Sequence, residues 1–283
     1  MVLESLFSPE GAEHNPWALA ILGFVFVSIA IFATGYLLPS EPGFLLIALV
    51  ALPVAPLVLK LFDHEEVEVE EGERKWGSRT IARHFPIVLV LVSLFIGMCG
   101  SFCFWYLALP PAQANALFNA QNNELRSIGT VFSGHAVTSA EGSFMQVFEL
   151  IFIHNLGVLA LIIAFSIIYG AGAVLILIWN ASVIGVFVGN FAKEFVWHQA
   201  PSYSVLAGAS AGFLGLIPHG TFELLAYLVA ALAGGILSSA IIRRANAERR
   251  WGSVFRDIVK LSAVAIIFLV LGAAIEASSI VGA

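Results

Sequence analysis

Charge is what this chain has least of. Asp, Glu, Lys and Arg make up 11% of its 283 residues and hydrophobic residues 59%, where a soluble domain carries about 25% charged residues. The apolar residues fall in blocks instead of following a helical or strand period, which excludes a soluble globular fold. Basic residues are scarce as well, 13 Lys and Arg against 19 Asp and Glu, and no basic stripe marks a nucleic-acid partner. Cysteine is nearly absent. Cys99 and Cys103 stand four apart in an apolar run, on one helix face, where geometry disfavours a bond between them and packing is the expected role. Residues 1–16 hold Glu4, Glu10 and Glu13 but no Lys or Arg; without a basic n-region the first apolar run is expected to be a retained anchor.

What is present is a series of apolar runs. A span is expected from Trp17 to Leu38, a turn at Pro39–Gly43, and a second span from Phe44 to Phe62 kinked by Pro53 and Pro56. The acidic run from Asp63 to Glu73, followed by Arg74, Lys75, Arg79 and Arg83, reads as a solvated linker or a docking strip for a basic partner. A third span covers Pro86 to Leu109, with Trp105 and Tyr106 as interfacial anchors before Pro110-Pro111. The polar loop 110–144 has helical spacing up to Ile128 and reads as a surface helix or a partner-binding segment. Two further spans, Met145–Ile168 and Ala173–Phe191, flank a tight turn at 169–172.

The Gly- and Ala-rich stretch from Ser204 to Ile217 is too short to cross: at 1.5 Å per residue it reaches only about 21 Å of a core about 30 Å thick. It is expected to enter and return as a re-entrant hairpin. Spans from His219 to Ile242 and from Ile258 to Val281 complete the chain. With 204–217 re-entrant, every Lys and Arg except Arg126 and Lys193 falls on one side. The positive-inside rule then puts the amino terminus in the cytoplasm and the carboxy terminus outside a plasma membrane. The expected fold is thus an all-α polytopic bundle of about seven transmembrane helices plus one re-entrant hairpin. Residues 1–62 form a two-span amino-terminal module, 63–85 a cytoplasmic linker and 86–283 a five-span core.

Several polar groups lie at membrane depth, where each costs about 2.5 to 3.5 kcal/mol on insertion scales. Glu149, Asn155, Asn180, His219 and Glu223 form the candidate intramembrane cluster, supported by His154, Gly185, Pro218 and Gly220, with Asn190 a further amide in the fifth span. Counting along the spans brings Asn155 and Asn180 together near mid-membrane and Glu149, His219 and Glu223 together nearer the outer side. Three chemistries fit. The cluster is a structural network between helices; or it lines a solute or ion pathway; or Glu149, His219 and Glu223 hold a divalent metal for an intramembrane hydrolase, although no His-Glu-x-x-His signature accompanies them.

The runs Phe148–Asn155, Asn180 with Gly185, and Pro218-His219-Gly220-Thr221-Phe222-Glu223 resemble the core of the stage II sporulation protein M family, from about Phe85 to the carboxy terminus. His154 stands where the family often has a second asparagine, and Ala181 where it commonly has glycine. The resemblance implies an integral membrane protein. In endospore formers it implies a part of the engulfment machinery that helps recruit peptidoglycan-degrading partners. The expected function is accordingly a non-enzymatic membrane scaffold, with a small-solute or ion transporter as the alternative and a metal-dependent hydrolase as a third. Its expected partners are the lipid bilayer, proteins at 110–144 or 63–85, and a second copy of the chain.

Overall fold

The computed structural model describes residues 9–37, 42–71, 80–136, 144–169, 172–199, 205–242 and 248–282. Helix α1 spans Pro9–His14, α2 Trp17–Leu37, α3 Pro42–Glu71, α4 Thr80–Ala108, α5 Pro111–Leu117, α6 Asn119–Ala136, α7 Phe144–Tyr169, α8 Gly172–Gln199, α9 Val205–Ile242 and α10 Glu248–Val281. Seven of these, α2, α3, α4 and α7 to α10, are long and apolar enough to cross a membrane. A helix is the one way such open-ended segments satisfy every backbone N–H and C=O without water.

Residues 204–217 do not form a re-entrant hairpin. From Val205 the stretch continues without a break through Pro218 into the sixth span, giving α9 a length of 38 residues, or about 57 Å. Two physical reasons account for the continuity. Pro218 lies inside the helix, and a proline within a membrane span is tolerated because local backbone adjustment and nearby groups re-satisfy the freed carbonyl. The first turns of α9 also have a partner: Gly208 and Gly212 lie against Ala192 and Phe191 of α8, a small-residue contact of the kind that joins membrane helices. Being much longer than a bilayer core, α9 must tilt or extend beyond it. Since 204–217 makes no crossing of its own, the number of spans stays at seven.

The acidic linker is likewise helical over much of its length, for α3 runs on to Glu71. Glutamate propagates a helix well once the preceding apolar turns have nucleated it. Residues 72–79 of the linker lie outside the described residues, and 80–85 form the first turns of α4. The polar loop after Pro110 is also more ordered into the bundle than its composition suggests. Pro111 starts α5 at the position where a missing N–H costs nothing. Phe118, at the α5–α6 turn, is fully buried and packs edge-on to Phe102 and Tyr106 of α4. Gln121 is buried too, its amide donating to Ser182 Oγ of α8 at 3.1 Å.

The amino-terminal helices are packed closely onto the rest. Gly97 of α4 abuts the backbone of Ala20 of α2, leaving no room for a side chain. Beside this crossing Ser101 Oγ donates to the Phe24 carbonyl at 2.9 Å, and Trp105 Nε1 donates to Ser28 Oγ at 2.9 Å. Close backbone approach and interhelical hydrogen bonds replace the hydrophobic drive that lipid does not supply.

Candidate functional site

Helix α9 presents Glu223 and Tyr227 one turn apart on the face that meets α7. Asn155 of α7, 7% exposed, reaches both. Its Nδ2 donates to Glu223 Oε1 at 2.7 Å, while Tyr227 Oη donates to its Oδ1 at 3.0 Å. The amide is therefore used at both ends, and the phenol hydrogen is used as well. From the other side α10 brings the carboxyl group of Glu276 close to that of Glu223. The approach of α10 depends on Gly272, one turn before Glu276: a Cβ there would lie 2.9 Å from Glu223 Cγ and 3.4 Å from its backbone nitrogen. Three helices thus meet at one polar group, in which Asn155, Glu223 and Tyr227 are hydrogen-bonded and Glu276 lies beside Glu223.

The cluster differs in membership from the one expected. Asn155 and Glu223 are joined, but Asn180 turns back on its own helix and donates to the Ile176 carbonyl at 2.8 Å; no hydrogen bond among the described residues joins it to Asn155. Glu149 is exposed on α7. It lies six residues before Asn155, about 240° away around the helix, which explains why it misses the cluster. His219 is half-buried, with its carbonyl facing Gly272, and His154 is exposed. Among the described residues no three His, Cys, Asp or Glu side chains are grouped to hold a metal ion, so Glu149, His219 and Glu223 do not assemble as a ligand trio. Gly185 serves packing, its Cα side lying against Phe102, Cys99 and Cys103 of α4.

Glu276 and Tyr227 are the members that sequence reasoning missed. Glu276 had a signal, as an acid inside the last apolar run; Tyr227 had little, since a tyrosine in an apolar helix reads as core. A second amide cluster lies at the ends of α4 and α8. There Tyr106 Oη donates to Asn190 Oδ1 at 2.6 Å, and Asn190 Nδ2 donates to Asn122 Oδ1 of α6 at 3.1 Å. Lys193 caps this group, its Nζ 3.8 Å from the centre of the Tyr106 ring and donating to the Tyr106 carbonyl at 3.2 Å.

Seven apolar helices tied together by amide and carboxyl groups inside the spans define a multi-pass membrane protein. The chain belongs to the stage II sporulation protein M family, whose model matches residues 87–278, from α4 to near the end of α10. It is also similar to an uncharacterized protein of Methanocaldococcus jannaschii, with 29% identity over 132 residues, covering 46% of this chain and 68% of that one. No solved structure matches it.

Proposed function

We propose that this protein is a non-enzymatic scaffold of the plasma membrane, with its amino terminus in the cytoplasm and its carboxy terminus outside. The reading is carried by Asn155: at 7% exposure, with both ends of its amide bonded to side chains of α9, it acts as a lock between helices. A pathway for solute would leave such an amide facing water. Partners would be proteins that meet the exposed side of α5 and α6 or the acidic end of α3, or a second copy of the chain. The test is photo-crosslinking from an unnatural residue at exposed Asn123 in native membranes, together with ion-flux assays on the full chain in liposomes. A defined crosslinked partner with no flux above empty vesicles is the expected result; flux through the reconstituted chain that Glu223→Gln abolishes would overturn it.

One observation favours a second reading. Glu223 and Glu276 bring two carboxyl groups close together within the apolar spans, and paired acids at membrane depth are a feature of proton- and cation-coupled carriers. The flux assay separates the two readings. Orientation is tested by labelling single cysteines from outside: Asn123→Cys should react and Gly252→Cys should not. Both positions are exposed, so labelling of both from one side would remove the proposed topology.

A further inference from the structure

The second amide cluster forms part of the lining of an open cavity of about 430 Å³ bordered by α4, α5, α6 and α8. Hydrogen bonding decides what its polar wall offers. Asn122 spends its oxygen on Asn190 Nδ2, which leaves its two N–H donors for the cavity. Arg126 and Glu194 also line the space. Both are exposed, and neither forms an ion pair or hydrogen bond among the described residues, so a cation and an anion border one open cavity without pairing with each other. The apolar part of the lining is Phe187 and Phe191, 38% and 37% exposed, on the same face of α8 as Asn190 and Glu194, together with Leu125 of α6. Depth is set by Tyr106 and Asn190, which fall in the last turns of the apolar stretches His84–Ala108 and Ala173–Phe195. The cavity therefore sits where hydrocarbon gives way to headgroups.

We propose that this cavity binds a zwitterionic group carrying a phosphate-type anion a few atoms from a primary ammonium. Arg126 and the Asn122 amide take the anion, Glu194 takes the ammonium, and the phenylalanines cover attached carbon. Arg is suited to the first task because its planar donors match an oxyanion. Two sources carry this chemistry, an aminophospholipid headgroup with its acyl chains along Phe187 and Phe191, and a free phosphoamine. Neither depends on whether the bundle as a whole is a scaffold or a carrier.

The test uses the full-length chain in two arms. In the first it is placed in nanodiscs containing equal amounts of phosphatidylethanolamine and phosphatidylglycerol, then released and examined by native mass spectrometry for retained lipid. In the second it is titrated in detergent with O-phosphoethanolamine and with glycerol phosphate, an anion of similar size without the ammonium. Preferential retention of phosphatidylethanolamine without binding of the soluble compound assigns the site to lipid; saturable binding of O-phosphoethanolamine in preference to glycerol phosphate assigns it to a free solute. Arg126→Ala should weaken whichever binding is found by about tenfold or more, the size of a lost charge-assisted contact. Glu194→Gln should abolish the preference for the ammonium while leaving binding of the anion. Both side chains are exposed, so neither change threatens folding, and Asn123→Ala on the same helix serves as control. Equal retention of the two lipids together with equal binding of the two soluble compounds overturns the proposal, as does a preference that survives both variants.

Discussion

The clusters around Asn155 and Asn190 use the same side-chain chemistry, an amide between a phenol and a second polar group, yet one is closed and the other open. At Asn155 the amide oxygen and nitrogen are both taken by α9, and Gly272 lets α10 close the remaining side. At Asn190 the bonds to Tyr106 and Asn122 are equally short, but they border a cavity with Arg126 and Glu194 at its edge. The difference teaches where to look for function in a bundle of this kind. An amide in the span is not itself a site; the donors left over after its internal bonds are counted make one. A closed cluster should fail when any member is removed, whereas an open one can substitute water.

The largest effect is expected where closure depends on backbone approach. Gly272→Leu forces a side chain into Glu223 and should cost about 3 kcal/mol, the upper range for overpacking a tight contact, with loss of monodisperse protein in detergent. Gly157→Leu on α7 is the control, since nothing lies within 4 Å of an added Cβ there, and its thermal melt should match wild type. Equal tolerance of both would mean that α9 and α10 are not held together at Glu223.

Next in size is the direct contrast between the amides. Asn155→Leu strands a carboxyl and a phenol in a buried position and should destabilise by about 2 to 3 kcal/mol, the cost of buried polar groups left without partners. Asn190→Leu removes a comparable pair of bonds beside the cavity, where water can replace them, and should cost about 1 kcal/mol or less. Thermal melts of both variants in one detergent decide it. Equal losses would break the distinction between a closed and an open cluster.

These contrasts also mark what could be read from the residues alone. Runs of twenty apolar residues announce spans, and the expense of burying amide and acid groups pointed to Asn155 and Glu223. Helix face was harder to judge: Glu149 is close to Asn155 in sequence but points elsewhere, and Asn180 found a partner in its own backbone. Continuity through Pro218-His219-Gly220 was hidden because these residues punctuate soluble helices, while the contact of Gly208 and Gly212 with α8 keeps α9 intact. Burial of Gln121 was hidden for the opposite reason, since a polar stretch gives no periodic sign that one of its amides reaches Ser182. Glu276 was legible in type but not in partner, because only the Gly272 crossing aims it at Glu223.

The smallest effect is expected at Glu276 itself, and it bears on whether the closed cluster is only a lock. Glutamine at this position has nearly the shape of the acid and supplies an N–H donor facing the Glu223 carboxyl group, so a bond to Glu223 can form without either group holding a proton. Glu276→Gln should therefore change stability by no more than about 0.5 kcal/mol, well within the range of a neutral hydrogen bond. Glu276→Leu, which puts an apolar side chain beside the Glu223 carboxyl in place of a polar one, should cost about 1 to 3 kcal/mol. If the cluster is a lock, the glutamine variant keeps both its melting temperature and its crosslink from Asn123. If it moves protons or cations, the glutamine variant stays folded and silent, since an amide cannot give up and retake the proton that a carboxyl can. A variant with wild-type stability and no flux, beside a wild type that conducts, would turn the closed cluster from a structural element into a working one.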